Sequence, residues 1–216
     1  MIFSRGFPNI ILLLCISASF CCQAQQKEAV YTYTESQNEN FGVVLIDLEH
    51  YIELTITTSE QPHSFTTDDV QSGEYSNALV LQTRVANDTL FITDPVSPLF
   101  HFPQDKLSAH KVTDSKAKIV LPESHHLFLN LSNANVNLQG LFRSVIVNIN
   151  TGKVNLEKLK GDTQITSVSA DITAKDLENY SFEANSRNGI VTFKNENRRK
   201  KYHLKVESIY GDIDLD

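Results

Sequence analysis

Four uncharged polar side chains recur at one position of a repeated phrase in the C-terminal half of the chain. Amides and hydroxyls both donate or accept hydrogen bonds, so a flat row of them could contact the hydroxyl groups of a glycan. This row, here called the Asn/Thr row, is the surface that the sequence favours for binding. It consists of Asn137, Asn155, Thr173 and Thr192.

A basic run is the second candidate for binding. It lies in the longest interval of the repeat, which predicts a loop extruded from the sheet. Its positive potential could bind an anionic glycan or the phosphate groups of lipopolysaccharide. A solvated loop that offsets acidic neighbours is the alternative. The run consists of Arg198, Arg199, Lys200 and Lys201.

Acidic side chains raise the possibility of a Ca²⁺-dependent enzyme that acts on acidic polysaccharides. Asp171 and Asp212 occupy the same outward position of the repeat, and sequence order puts Ile190 between them. At about 4.8 Å per level of a parallel sheet they would stand ~9–10 Å apart, too far to share one ion. We therefore expect solvated charges here and no catalytic residues.

Histidines offer a further test for a metal site. None of the seven shows the spacing of a ligand set, and an adjacent pair on a strand points to opposite faces. We expect surface or interface histidines, with no metal and no cofactor. The seven are His50, His63, His101, His110, His125, His126 and His203.

The elements that position these residues are short strands in a repeat. A small residue recurs at intervals of 18, 18, 19 and 22 residues, and apolar and polar residues alternate on both sides of it. That alternation is typical of strands with one buried face. Nineteen of twenty inward positions are apolar, and Thr163 is the exception. Each repeat is predicted to be two strands flanking a corner, at Ala134, Gly152, Ala170, Gly189 or Gly211.

Two all-β architectures fit the repeat. In an antiparallel meander each period is a hairpin, whereas in a right-handed parallel β-helix each period is one coil stacked on its predecessor. We favour a right-handed parallel β-helix of about five coils of 18–22 residues, because identical columns place like residues over like. The meander stays open. In sequence order the last coil ends the stack, and Asp212, Asp214 and Asp216 would block its edge.

The N-terminal half is strand-rich but not visibly periodic. Ile52 to Ile56 alternates, and Leu79 to Ile92 predicts a hairpin with Asn87 and Asp88 at its tip. We expect irregular strands and a hairpin over 25–116 that cap the stack, followed by the β-helix repeats over 117–216.

The first 24 residues have the features of a secretory signal peptide. Arg5 precedes an apolar run from Ile10 to Ile16, and small residues lead to Ala24. Removal would leave 192 residues without cysteine, which excludes a disulfide scaffold and thiol catalysis. The net charge of −7 disfavours nucleic-acid binding. We predict an extracytoplasmic location (periplasm, cell surface or secreted) and no membrane span.

The repeated phrase, as in Thr151-Gly-Lys-Val-Asn-Leu156, resembles the bacterial putative-adhesin families of β-strand repeats, including the GIN head domain common in Bacteroidetes. The resemblance covers Leu127 to Leu215. It implies an exported, non-enzymatic β-helix protein, an adhesin-like binding or envelope-interaction module whose partner is a glycan or surface component. A structural or envelope-signalling accessory role, with end-to-end association, and a polysaccharide-active enzyme are the alternatives.

Overall fold

The computed structural model describes residues 29–33, 40–62, 64–73, 78–98, 100, 113–193 and 200–215. The described part is all-β and forms one strongly curled, mixed sheet without a helix. The expected signal peptide, 1–24, lies outside it. In the described residues no helix is long and apolar enough to cross a membrane. The strands are β1 (Ala29–Tyr33), β2 (Val43–Leu48), β3 (Glu53–Ser59), β4 (Thr66–Gly73), β5 (Gln82–Ala86), β6 (Thr89–Thr93), β7 (Thr113–Pro122), β8 (His126–Lys175), β9 (Tyr180–Ser186), β10 (Val191–Phe193), β11 (Tyr202–Ser208) and β12 (Ile213–Leu215).

The predicted alternation is confirmed by burial and by strand register. Two successive strands that together form one level of the parallel sheet are called a rung here, whether a tight corner or a longer loop joins them. β8 contains three consecutive rungs. Leu204 in β11 pairs in parallel with Thr163 in β8 on one side and with Phe182 in β9 on the other. These three residues occupy one predicted column. The parallel pairing shows that the meander is wrong for these repeats.

The exception in the inward columns is explained by a local hydrogen bond. Thr163 is buried, and its Oγ1 donates to the carbonyl oxygen of Gly161 at 3.0 Å. A buried hydroxyl with a partner costs little, so the position accepts threonine. Gly161 itself has φ +130°, a backbone conformation that favours glycine at this bend of β8.

The order of the last two rungs differs from the sequence order. The β11–β12 rung lies between the third rung of β8 and the β9–β10 rung, because β11 pairs with both β8 and β9, and β12 with both β8 and β10. The expectation that Asp171 and Asp212 stand two levels apart is therefore wrong. They are direct neighbours, and the Asp212 backbone N–H donates to Asp171 Oδ1 at 3.2 Å.

The expectation that the last repeat ends the stack is also wrong. Ile213 and Leu215 are almost completely buried because β12 has a hydrogen-bonded strand on each side. Asp212 and Asp214 thus extend outward from an interior rung and do not block an edge, and Asp216 lies outside the described residues. The outermost described strands at this end are β9 and β10.

The N-terminal half contributes rungs of the same kind. β2 pairs in parallel with β8 so that Val44 lies opposite Leu127, and β3 pairs with β8 so that Leu54 lies opposite Val136. The β6–β7 rung lies on the other side of the β2–β3 rung. The order is therefore exchanged at this end as well. The boundary between residues 116 and 117 falls inside β7, and the division of the chain there stays a prediction.

Antiparallel strands complete the N-terminal end. The predicted hairpin is confirmed, with β5 and β6 antiparallel and both tip residues, Asn87 and Asp88, at positive φ. β4 pairs antiparallel with β7, and β1 pairs antiparallel with β4. One apolar core runs through all of these rungs, from Phe41 to Leu215.

Candidate functional site

The outward side chains form rows because equivalent positions of successive rungs are in register. The Asn/Thr row begins with Asn137 and Asn155, whose side chains are hydrogen-bonded to each other, Asn155 Nδ2 donating to Asn137 Oδ1 at 2.9 Å. Thr55 of β3 lies beside Asn137 and extends the row toward the N-terminal end. The row is thus an amide and hydroxyl surface held in place by the parallel sheet.

Because the last two rungs are exchanged, the C-terminal half of the Asn/Thr row is not continuous. Thr173 and Thr192 are not adjacent, because Asp214 pairs with Thr173 on one side and with Thr192 on the other. A carboxylate therefore interrupts the two threonines. Asn137 and Thr173 are half-buried, whereas Asn155 and Thr192 are exposed. Sequence order alone would place Asp214 at the end of the row.

A second row runs along the outward face of the preceding strands. Asn130 lies beside Asp47 of β2, and Asn148 Nδ2 donates to Asn130 Oδ1 at 3.0 Å. A depression of about 330 Å³ lies here, and Glu49 is also part of its wall. A smaller depression of about 110 Å³ follows the Asn/Thr row at Asn137 and Asn155. Outward amides and carboxylates converge in both depressions.

Sequence reasoning missed the contribution of Asp47 and Glu49. The signal was present, since Val43 to Leu48 matches His126 to Leu131 in its alternation. The corner between β2 and β3 is one residue longer than the equivalent corner of β8, because Ile46 and Leu54 are eight residues apart and their partners seven. That extra residue conceals the period.

Aspartate side chains accept hydrogen bonds from the backbone of neighbouring rungs. Asp212 Oδ1 accepts from the Ile190 N–H at 2.8 Å, and Asp162 Oδ1 accepts from the His203 N–H at 3.0 Å. The buried Asp94 accepts from the backbone N–H groups of Glu49 and His50, at 3.0 and 2.7 Å. These bonds bridge 22 to 45 residues of sequence. The aspartates therefore help to hold particular rungs next to each other. Since Asp171 and Asp212 use their carboxylates for such backbone bonds, their proximity does not support a Ca²⁺ site.

The basic run is only partly within the described residues. Arg198 and Arg199 lie outside them, Lys200 is half-buried, and Lys201 is exposed with its Nζ 4.9 Å from the centre of the Tyr202 ring. The residues of the Asn/Thr row follow the corner of each rung, whereas Lys201 directly precedes β11, the strand before the corner of its rung. The two predicted binding surfaces therefore stay separate predictions.

The described histidines have separate partners. His126 Nδ1 is 2.6 Å from Ser144 Oγ, and His203 Nδ1 is 3.0 Å from Ser181 Oγ. His50 Nδ1 lies 3.4 Å from Asp94 Oδ2, and the His125 ring packs against Phe41. In the part of the chain that the structure describes, no three His, Cys, Asp or Glu residues form a group that could hold a metal. The remaining three, His63, His101 and His110, lie outside that part.

Strong pKa shifts occur mainly away from the outward rows. Burial raises the pKa of Tyr180 to about 12, and burial also raises the pKa values of Tyr51 and Asp69. On the outward face of β11 a hydrogen bond from Lys205 to Glu207 raises the pKa of Lys205.

Several solved structures match the chain over most of its length. A "putative cell adhesion protein" from Clostridium sporogenes has a TM-score of 0.59 at 15% sequence identity, covering 88% of this chain and 99% of that one. A "putative adhesin" from Bacteroides fragilis has a TM-score of 0.36 at 16% identity, covering 87% and 97%. A "putative lipid binding protein" from Parabacteroides distasonis has a TM-score of 0.29 at 9% identity, covering 88% and 98%. At these identities the likeness to the first shows the fold alone.

Comparison with protein families is more decisive. No curated protein is significantly similar to the chain. The family model described as Toastrack DUF4097 matches residues 23–216. This match agrees with the expected adhesin-type family, while the GIN head-domain type stays a prediction. Because the match extends over most of the sequence, the chain belongs to the Toastrack DUF4097 family.

Proposed function

We propose that the protein is a non-enzymatic, adhesin-like binding module that presents its outward rows to a glycan or another envelope component. The observation that carries the proposal is the hydrogen-bonded pair of Asn137 and Asn155 beside a depression on a sheet in strict register. A preformed polar surface loses little conformational entropy on binding, which favours recognition of a repetitive ligand.

The surroundings of the depressions support a neutral or weakly cationic glycan for these two sites. Asp47 and Glu49 provide carboxylates at the larger depression, and Asn130 and Asn148 provide amides. An anionic glycan would be repelled by the carboxylates and would require the basic run, of which Lys200 and Lys201 are described. A neutral or cationic glycan and an anionic glycan would therefore contact different residues of the protein.

A glycan panel tests the proposal. We expect wild-type protein to retain one glycan class, and Asn137→Ala/Asn155→Ala to weaken retention at least about tenfold, equivalent to about 1.4 kcal/mol. Gln164→Ala is the matched control, since Gln164 is an exposed outward amide of β8 outside both depressions. Equal retention by both variants contradicts a role of the row. Loss only in Lys200→Ser/Lys201→Ser would assign binding to the basic run.

We further propose that residues 1–24 direct export and are then removed, and that the protein acts in the periplasm, at the cell surface or outside the cell. The apolar run after Arg5 supports this location. N-terminal sequencing of the protein from its native host should begin at Gln25. A protein that retains Met1 would contradict export by this segment.

The repeats support a right-handed parallel β-helix as the finer description of the fold, with 25–116 as the capping region and 117–216 as the repeat region. Parallel neighbours joined by crossovers are right-handed in almost all proteins. A crystal structure that shows left-handed crossovers would contradict the description.

End-to-end association is a second candidate function, in the class of structural proteins. Phe182 and Phe193, two inward side chains of the outermost β9–β10 rung, are only half-buried, although Tyr180 of the same rung is buried. Pairing of a second molecule would cover them. Light scattering over a concentration series should show a rising mass that Phe193→Lys abolishes. A monomer at every concentration would exclude this role.

A further inference from the structure

Three polar side chains are buried in the interior at the N-terminal end of the sheet. Asp69 and Gln71 belong to β4 and Ser115 belongs to β7, and their exposed fractions are 8%, 2% and 0%. Residues two apart on a strand share a face, so Asp69 and Gln71 project to the same side, together with the buried Phe65 and Thr67. Polar groups on this inward face therefore occupy a position where the other rungs have apolar residues.

Strand register places the three side chains next to each other. β4 and β7 are antiparallel, with Gln71 directly opposite Ser115 and Asp69 opposite Ala117. Directly opposed residues have Cβ atoms about 4.5–5.5 Å apart, and diagonal neighbours about 7–8 Å apart. Ser115 is thus the direct neighbour of Gln71 and the diagonal neighbour of Asp69, so the three side chains cluster on one face.

The hydrogen bonds of the cluster leave one oxygen of each side chain without a partner. Gln71 Nε2 donates to Asp69 Oδ2 at 2.7 Å and lies 3.3 Å from the Tyr51 hydroxyl oxygen. Within the described part of the chain, Asp69 Oδ1, Gln71 Oε1 and Ser115 Oγ are buried and have no hydrogen-bond partner. Buried polar atoms are nearly always paired in folded proteins, so these three oxygens point to a bound species that the described residues do not supply.

We propose that Asp69 Oδ1, Gln71 Oε1 and Ser115 Oγ bind a small hard cation inside the N-terminal end of the sheet. The donor set is carboxylate, amide and hydroxyl oxygen without nitrogen or sulfur, which hard cations prefer. The set carries one negative charge. A monovalent ion such as Na⁺ or K⁺ neutralises it fully, whereas Ca²⁺ would leave a net charge in an environment that disfavours one.

A cation at Oδ1 would offset the charge of a carboxylate that is buried away from solvent. A buried water is the neutral alternative, since one water can donate to two acceptors and accept from the serine hydroxyl.

Thermal unfolding in different salts tests the proposal. At equal ionic strength we expect the midpoint of wild-type protein to rise by several degrees in NaCl or KCl relative to choline chloride, and to rise less in CaCl₂, because an ion that binds the folded state alone stabilises it. Asp69→Asn should abolish the rise and Ser115→Ala should reduce it. Asp68→Asn is the matched control, since Asp68 is the half-exposed neighbour on the same strand, and it should keep the rise.

Two results would overturn the cation site. One is an identical midpoint of wild-type protein in all four salts, which would leave a buried water as the bound species. The other is an unchanged salt response in Asp69→Asn. Should that variant fail to fold, wild-type crystals soaked in a thallium salt supply the decision, with an anomalous peak among the three oxygens supporting the site and its absence contradicting it.

Discussion

The two ends of the sheet are built by the same exchange of rungs but are finished differently. At the N-terminal end the β2–β3 rung lies inside the later β6–β7 rung, and at the C-terminal end the β11–β12 rung lies inside the earlier β9–β10 rung. The outermost N-terminal rung is fully buried on its inward face, as at Leu90 and Ile119. Phe182 and Phe193 of the outermost C-terminal rung are half-buried.

Antiparallel strands account for this difference. β4 and β5 pair with β7 and β6 and extend the sheet beyond the outermost N-terminal rung. In the ranges that the structure describes, β9 pairs with β11 and β10 pairs with β12, and neither has a strand on its other side. Rung exchange by itself therefore does not close the core. Closure requires additional strands, which only the N-terminal end has among the described residues.

The largest effect should come from Gly211→Ala. A Cβ at Gly211 would overlap the Ala170 carbonyl oxygen, because the two rungs approach closely at their corners. Backbone cannot yield as a side chain can, so we expect a loss of about 3 kcal/mol or more in the free energy of unfolding. Gly42→Ala is the N-terminal control, since its Cβ would meet only the Asp88 side chain, and it should cost less than about 1 kcal/mol. Equal losses in urea unfolding would refute the close backbone approach at Gly211.

The next largest effect distinguishes the observed stacking order of the last two rungs from the order of their repeats in the sequence. Leu215→Ala should cost about 2–4 kcal/mol because Leu215 is fully buried in an interior rung, whereas Phe193→Ala should cost about 1–2 kcal/mol at the half-buried outer rung. Denaturant unfolding of both variants measures the difference. A larger loss for Phe193→Ala would mean that the rungs stack in sequence order.

Aspartates at both ends of the sheet accept hydrogen bonds from backbone N–H groups, and their removal should have different effects on stability. Asp94→Ala should cost about 2–3 kcal/mol, because it leaves the Glu49 and His50 N–H groups without their acceptor in a partly buried site. Asp212→Ala should cost about 0.5–1 kcal/mol, because its bond to the Ile190 N–H is exposed to solvent. Amide hydrogen exchange at Glu49 and Ile190 reports each loss. Similar protection in variant and wild type would show that these bonds are dispensable.

The smallest effect is the pH dependence of Asp69. Burial raises its pKa above the ordinary 3.8, so its contribution to stability is present below the unfolded pKa and is lost as the pH rises through the folded pKa. Asp69→Asn should therefore become more stable relative to wild type as the pH rises above about 3.8 in choline chloride. Asp68→Asn serves as the control for general charge effects. A difference that does not change with pH would contradict the burial of an ionisable group at this position.

Much of the local structure could be predicted from the sequence. The inward columns, the corners and the hairpin at Asn87 and Asp88 follow from alternation and small residues, and the register confirms them. The role of small residues was only partly anticipated. Gly152 combines φ +116° with a close approach to the Ala134 backbone, whereas Gly211 is required only by its close approach to the Ala170 backbone.

The candidate site was less predictable. Asn137 and Asn155 could be identified because their repeats are consecutive and equal in length. Asp47 and Glu49 could not, because one extra residue at their corner conceals the repeat. The buried cluster of Asp69, Gln71 and Ser115 gives no periodic signal, since its parts lie on two strands separated by about 40 residues of chain.

The sequence by itself determined that this protein is all-β, which face of each strand is buried, and which residues share a column, because the period of two fixes the side-chain direction along a strand. Only the tertiary structure decided which rungs are neighbours. Every repeat offers nearly the same inward column, so several orders give the same register and similar apolar burial. Contacts that the period does not encode select among them: the Gly211 approach to Ala170, the aspartate bonds to backbone N–H groups, and the antiparallel strands at the N-terminal end.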